Sequence, residues 1–208
     1  MRPQRADALR SVAVWAAVFL IVAVPLVLAA RSPLLAWRDP VYIAGGFAGI
    51  VAMALLLVQP LLAAGVLPGL QKLRGRRVHR WTGAALVLCI VVHVAGLWLT
   101  SPPDVIDALT FASPTPFAPW GVVAMWVLFA SAALAVLRRP LRLPWRRWSV
   151  LHRSLGLVVV AGSAVHALLI EGAMEPVSKA VLCIFALAGA LAVWRGLPGG
   201  SRGSQRGK

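Results

Sequence analysis

The sequence predicts an all-α membrane protein, a six-transmembrane helix bundle with both termini cytoplasmic. The chain is 60% hydrophobic and only 13% charged, whereas a soluble domain carries roughly 25% charged residues. Its apolar residues form six long runs separated by short polar loops. The basic residues lie in those loops, so the net charge of +15 indicates membrane topology and argues against a nucleic-acid partner.

The first run, residues 11–30, follows a short cytoplasmic leader at residues 1–10. About 20 apolar residues are enough to cross the membrane. A cleaved signal peptide is the competing interpretation, because basic residues precede an apolar stretch that ends in small residues. The stretch is longer than the roughly 7–15 apolar residues of a signal peptide. We therefore expect a retained helix, kinked at Pro25.

Five further runs complete the predicted bundle. They cover residues 41–66, 78–100, 117–137, 148–170 and 177–194. The second run contains Gly45, Gly46 and Gly49, a spacing of small residues that lets helices approach closely. The transmembrane domain is predicted to cover residues 11–195. The Gly/Ser/Arg-rich residues 196–208 are predicted to form a disordered cytoplasmic tail.

The basic residues decide the orientation of the bundle. All but three of the 21 lysines and arginines lie in the termini or beside the loops after the second and fourth runs. The exceptions are Arg31, Arg38 and Lys179, and every acidic residue except Asp7 shares their side of the membrane. The positive-inside rule then places both termini in the cytoplasm. We expect a multi-pass protein of a bacterial-type inner (plasma) membrane.

One motif, H-R-x-x-G-x9-H, occurs twice, at the starts of the third and fifth runs. Its copies place these residues at matching positions: His79, Arg80, Gly83 and His93, then His152, Arg153, Gly156 and His166. The copies use all four histidines of the chain. Within a copy the two histidines face nearly the same side of a helix but lie about 21 Å apart along it. One metal ion therefore cannot bind both.

The third and fifth runs cross the membrane in the same direction, which pairs histidines between the two helices. His79 is expected level with His152 near the cytoplasmic face, and His93 level with His166 nearer the outer face. Each pair offers two imidazoles from facing helices, an arrangement that can hold a six-coordinate haem in a bundle core. Neutral imidazole is a suitable iron ligand.

Small residues near the histidines are expected to make room for a macrocycle. Gly83 and Gly156 lie one turn after the first histidine of each copy, on the same helix face. Gly96 and Gly162 are expected to act similarly near the outer pair.

Arginines and tryptophans flank the motif. Arg80 and Arg153 are candidates to bind haem propionates, because guanidinium binds carboxylate in a fork. The alternative is that they only set the topology. Trp81, Trp145 and Trp148 are expected to form the cytoplasmic aromatic belt of the membrane interface.

Other roles for the histidines are interhelical hydrogen bonding and proton relay. Zinc is disfavoured, because its ligands should cluster around one ion with cysteine or carboxylate nearby. Cys89 and Cys183 lie inside apolar runs and cannot form a C-x-x-C-H attachment site. Any haem would therefore be held non-covalently.

With these paired motifs, residues 41–195 resemble the ferric-reductase-like transmembrane domain. That family includes the membrane parts of ferric reductases and NADPH oxidases, and the membrane subunit of the bacterial methionine sulfoxide reductase system. The resemblance implies b-type haems, two for the two pairs, that carry electrons from a cytoplasmic flavin to an acceptor outside. The implied axial ligands, and so the predicted metal-binding residues, are His79, His93, His152 and His166. The predicted cofactor site adds Gly83, Gly156, Arg80 and Arg153.

Two departures from the family bear on function. We expect no flavin and nicotinamide domain after the last run, and no dinucleotide-binding glycine loop occurs in residues 1–208. We therefore expect a separate cytoplasmic flavin reductase, carrying FMN or FAD, or a reduced flavin as donor. The size is similar to the methionine sulfoxide reductase subunit, but that branch often lacks the cytoplasmic-side histidine of span three, whereas His79 is present. The sub-family stays open.

The leading hypothesis is a b-type cytochrome, a membrane oxidoreductase or its electron-transfer subunit. Its acceptor would be ferric iron, oxygen or a periplasmic redox partner, and no catalytic residue is predicted on the chain itself. The alternative is a non-catalytic haem-bearing anchor or relay for a separate reductase, such as a periplasmic methionine sulfoxide reductase. A third hypothesis is a transporter or assembly factor whose histidines only join helices.

Overall fold

A computed structural model describes residues 2–196, and this part of the chain is helical. The helices are α1 (Arg2–Ala30), α2 (Pro40–Ala64), α3 (Lys72–Thr100), α4 (Pro102–Leu109), α5 (Ala118–Leu137), α6 (Trp145–Leu169) and α7 (Pro176–Trp194), with a 3-10 turn at Pro33–Leu35. Within residues 2–196, six helices, all except α4, are long and apolar enough to cross a membrane. The predicted number of spans is confirmed.

Several helices extend beyond the apolar runs. α3 begins at Lys72 and α6 at Trp145, earlier than the predicted 78 and 148. Arginine and lysine favour helix almost as well as leucine, so hydropathy locates the apolar run but not the helix start. For the same reason α1 includes most of the polar leader. The predicted tail 196–208 lies outside the described residues, apart from Gly196.

Short α4 lies in a loop for which no helix was predicted. Pro102 and Pro103 occupy its first turn, where the missing N–H groups cost no helical hydrogen bond.

Carboxylate caps start α2 and α7. The N–H of Val41 donates to Asp39 Oδ1 at 2.7 Å, and the N–H groups of Val177 and Ser178 donate to the Glu175 carboxylate at 2.8 and 2.6 Å. A proline follows each cap at the first helical position. Acidic caps satisfy the free N–H groups of a helix start, so Asp39 and Glu175, two of the acidic residues predicted to lie outside, have a local structural role.

The bundle is assembled from two helix pairs and one further helix that contacts both pairs. α2 packs along α3, α5 packs along α6, and α7 contacts both α2 and α6. Buried side chains from these helices form one core: Leu57, Leu86, Leu128, Val159 and Leu182. In the described part of the chain, α3 and α6 share almost no backbone contact. The two histidine-bearing helices are thus held apart by their neighbours.

Candidate haem site between α3 and α6

His79 and His152 face each other across the space between α3 and α6. Their ring centroids are 6.3 Å apart, and their planes make an angle of 76°. Two imidazoles on opposite sides of one ion, with metal–nitrogen bonds of about 2.0–2.1 Å, have centroids roughly 6 Å apart. The spacing of this inner pair therefore suits one ion between the rings. The contact also puts the starts of α3 and α6 at the same end of the bundle.

The ring of His152 is held on two sides. Its Nδ1 lies 3.0 Å from the hydroxyl of Ser131, a buried residue on α5. The indole of Trp148, one turn earlier on α6, stacks on the imidazole with centroids 5.1 Å apart and planes 8° from parallel. A serine hydroxyl can donate or accept, and Nε2 of His152 is available as a ligand in the tautomer in which Nδ1–H donates to Ser131.

His79 is less completely held. The amide of Gln59 donates to the backbone carbonyl of His79 at 3.3 Å and to the hydroxyl of Thr82 at 2.9 Å. The Nδ1 atom of His79 is buried and has no hydrogen-bond partner among the described residues. Because an unpaired buried polar atom is costly, it marks the inner pair as a place where a further group fits.

His93 and His166, called the outer histidines after their predicted side of the membrane, are each hydrogen-bonded to a backbone carbonyl of the long helix that packs beside their own, in α2 or at the start of α5. His93 Nδ1 lies 2.8 Å from the carbonyl oxygen of Gly45, and His166 Nδ1 lies 2.9 Å from that of Phe117. A carbonyl only accepts, so Nδ1–H is the donor in both cases and Nε2 keeps its lone pair. The partners are 48 and 49 residues apart in sequence. The internal repeat therefore extends beyond the motif into α2 and the start of α5.

A glycine lies beneath each outer imidazole, one turn after the carbonyl acceptor. A Cβ atom on Gly49 would lie 2.9 Å from His93 Nδ1, and a Cβ on Gly121 would lie 2.6 Å from His166 Nδ1. Real Cβ atoms essentially never approach closer than 3.0 Å. These two glycines therefore allow the rings to lie against α2 and α5. Gly49 was predicted to serve only helix packing, and no role was predicted for Gly121.

The predicted glycines have different surroundings. A Cβ on Gly156 would meet nothing within 4 Å, and one on Gly83 would make ordinary contact with the Gln59 amide at 3.5 Å. Only Gly156 has open space beside it, and the role of both glycines towards a macrocycle stays a prediction. Gly96 and Gly162 instead lie at helix crossings. A Cβ on Gly96 would lie 2.9 Å from the Cα of Gly45, and one on Gly162 would lie 3.1 Å from the Cβ of Ala124. Their expected role as room for a macrocycle was wrong.

The predicted arginines and tryptophans also differ among themselves. Arg80 and Arg153 are exposed at the histidine-bearing ends of α3 and α6, so both are free to reach a carboxylate there. Trp81 is 73% exposed, as expected of an interfacial residue. Trp148 is not such a residue, because its ring covers His152 and its Nε1 is buried.

An open apolar groove of about 410 Å³ lies between α3, α4 and α5. Its walls include Trp98 on α3, Val105 on α4, and Met125 and Trp126 on α5. The α3 wall includes the turns on either side of His93. The lining is apolar throughout, which suits the hydrocarbon face of a macrocycle or a lipid chain. Across residues 2–196, no three histidine, cysteine or acidic side chains converge as a metal site.

A family model described as "Ferric reductase like transmembrane component" matches residues 48–163, more than half of the chain. The chain belongs to the ferric-reductase-like transmembrane family. The resemblance found in the sequence is thereby confirmed. This ferric-reductase-like domain contains His79, His93 and His152 within the matched range, and His166 follows just after it. Membership indicates a multi-pass membrane protein of a family associated with transmembrane electron transfer. Neither a curated protein nor a solved structure matched the sequence.

Proposed function

We propose that this ferric-reductase-like protein is a transmembrane b-type cytochrome with two bis-histidine haems. It would take electrons from a cytoplasmic flavin- or NAD(P)H-linked donor and pass them to an extracytoplasmic acceptor: ferric iron, oxygen or a periplasmic reductase. The observation that carries the proposal is the facing pair His79 and His152, 6.3 Å apart between two helices that are otherwise separated. Both termini would be in the cytoplasm, and the membrane would be a bacterial inner membrane.

The chain's own residues would supply ligands, orientation and exclusion of water. His79 and His152 would hold the inner haem, and His93 and His166 the outer one. The hydroxyl of Ser131 and the carbonyls of Gly45 and Phe117 would keep the imidazoles turned with Nε2 towards the iron. When bound, haem supplies reversible one-electron chemistry at iron.

Exposed Arg80 and Arg153 would pair with propionates at the cytoplasmic end. Such a pair gains most where the guanidinium binds both carboxylate oxygens.

The first experiment tests whether the purified protein binds haem. Protein purified in detergent should show reduced-minus-oxidised bands of a b-type cytochrome, and pyridine extraction should release the haem because no covalent attachment site exists. A colourless protein that reconstitution with haem leaves colourless would refute the proposal.

The second experiment tests whether electrons cross the membrane through the protein. Haem-loaded protein in vesicles is reduced by photoreduced flavin on one side, and a ferric chelate is confined to the other. Appearance of ferrous chelate, absent from haem-free vesicles, supports electron transfer through the bundle. Reduction of the haem without oxidation by the chelate would contradict a ferric-reductase activity.

A relay subunit for a separate reductase is the second candidate. The observation in its favour is the exposed basic surface formed by the loop after α5 and the start of α6: Arg139, Arg142, Arg146 and Arg147. A surface of one charge attracts a partner of the opposite charge and raises its association rate. On this surface the relay would dock an acidic cytoplasmic reductase and accept its electrons, but would itself reduce neither ferric chelates nor oxygen at a useful rate. Haem reduction by such a donor without reduction of a ferric chelate would support the relay.

A further inference from the structure

Three aromatic rings form a continuous column from the start of α6 to the inner histidine pair. Trp145 and Trp148 have centroids 5.0 Å apart with planes 33° from parallel, and Trp148 and His152 have centroids 5.1 Å apart with planes 8° from parallel. The ring of Trp145 is 55% exposed. The column thus joins the surface at the histidine-bearing end of the bundle to one ligand of the inner pair.

The column is fixed by a cation. The guanidinium carbon of Arg138 lies 4.7 Å from the ring centroids of both Trp145 and Trp148. A cation over an indole face is attracted by the ring quadrupole, most strongly when both are partly desolvated. Arg138 therefore ties the end of α5 to the start of α6 and holds the two indoles in contact.

The simpler interpretation is an interfacial tryptophan pair. It accounts for the exposed ring of Trp145 but not for Trp148. An interfacial indole directs its N–H to water or headgroups, whereas Trp148 Nε1 is buried without a partner in the described part of the chain. The apolar part of Trp148 is used to cover His152 rather than to face lipid. This placement needs a reason other than membrane anchoring.

We propose that Trp145 and Trp148 are the path by which electrons from the flavin donor reach the inner centre. The isoalloxazine of the donor would contact the exposed ring of Trp145. The proposal rests on the proposed cytochrome function and adds the residues that carry the input step. Its physical basis is that electronic coupling falls steeply with distance through saturated side chains. Contacting π systems shorten the saturated part of the path.

The input step balances with the donor already named. A reduced flavin would give one electron, which the column would carry to a ferric haem held by His79 and His152. That haem would be reduced to the ferrous state, and the flavin, oxidised by one electron, would release a proton to the cytoplasm. A second electron from the same flavin would follow after the inner haem had passed its electron to the outer one.

The test measures haem reduction by photoreduced FMN in a stopped-flow instrument. Trp148→Leu and Trp145→Leu should each slow the reduction about tenfold or more, equivalent to about 1.4 kcal/mol of barrier per factor of ten. Trp148→Phe, which keeps a ring at the same place, should recover most of the rate. Trp81→Leu is the matched control, because Trp81 is also exposed near the start of a histidine helix but lies outside the column.

Two further readouts separate a path from a structural role. The ferric absorption and EPR spectra of the variants should equal those of the wild type, which shows that His152 is still a ligand. Reoxidation of the reduced protein by a ferric chelate should also be unchanged. Unchanged input rates in both leucine variants, or slow input accompanied by altered spectra, would overturn the proposal. Failure of the cytochrome function itself would appear as missing haem in the wild type, before any variant is compared.

Discussion

Gly121→Ala is expected to remove the outer haem while leaving the inner one in place. The new Cβ would lie 2.6 Å from His166 Nδ1 and 2.7 Å from its Cε1, and ordinary contact begins at 3.4 Å. The ring must therefore move from 2.6 Å to at least 3.4 Å, a shift of about 0.8 Å. The Nδ1 hydrogen bond to Phe117, now 2.9 Å, would then exceed the roughly 2.7–3.2 Å of a normal N–H···O bond.

The cost of this shift can be bounded. Leaving a buried donor unpaired costs about 1–3 kcal/mol, and losing a hydrogen bond that orients a metal ligand typically weakens metal affinity about 10–100-fold. The two figures agree, since a factor of ten corresponds to about 1.4 kcal/mol. We therefore expect outer haem affinity to fall by one to two orders of magnitude.

The assay is haem content per chain together with the low-spin EPR spectrum. Gly121→Ala should keep about half of the haem and one of two signals. Gly46→Ala is the control, because a Cβ on Gly46 would meet nothing within 4 Å. Equal loss of both signals, or full retention in Gly121→Ala, would refute the role assigned to this glycine.

Three further predictions concern single side chains. Ser131→Ala should lower the affinity for the inner haem about 10–100-fold, because it removes the hydrogen bond to His152, whereas Ser131→Thr should keep that bond and the affinity. Haem transfer to apomyoglobin measures the affinity, and equal haem retention in both variants would contradict the prediction. The Nζ of buried Lys179 donates to the carbonyl of Ile170 at 2.8 Å, and Lys179→Met would leave that carbonyl unpaired, which costs about 1–3 kcal/mol of stability. The thermal unfolding temperature in detergent should therefore fall, and an unchanged temperature would count against this role of Lys179. The N–H groups of the first turn of α7 hold the pKa of Glu175 below its usual value. The carboxylate therefore stabilises the fold fully at pH values above its unfolded pKa of about 4.3. This contribution disappears as the pH falls through the lower pKa of the folded state. The difference in unfolding temperature between wild type and Glu175→Ala should accordingly be present at neutral pH and vanish in strong acid, and a difference independent of pH would oppose the assignment.

Much of the fold follows from the sequence because one strong physical constraint dominates it. Backbone groups in lipid must be paired, so long apolar runs have to be helices. The repeated motif and the odd numbering of its two spans were enough to predict the contact between His79 and His152. Helix starts were harder to place, because Lys72 and Trp145 precede the apolar runs in stretches whose composition suits both loop and helix.

The groups that orient the histidines were not predictable in the same way. Backbone carbonyls, such as those of Gly45 and Phe117, leave no signature in a sequence. Gly121 does have a sequence signature, because it precedes His166 by almost the same number of residues as Gly49 precedes His93. A comparison of the two halves of the chain would have identified it. Trp148 was predicted to be an interfacial residue, because a tryptophan at the start of a helix looks the same in a sequence whether its ring faces lipid or a histidine.

The most direct test of the two-pair arrangement is haem content in single and double histidine variants. His79→Ala and His152→Ala should each lose the same haem, and combining them should lose no more. His93→Ala should lose the other haem, and His79→Ala combined with His93→Ala should lose both. Retention of one haem in that last variant, or loss of both on combining His79→Ala with His152→Ala, would contradict the pairing between α3 and α6.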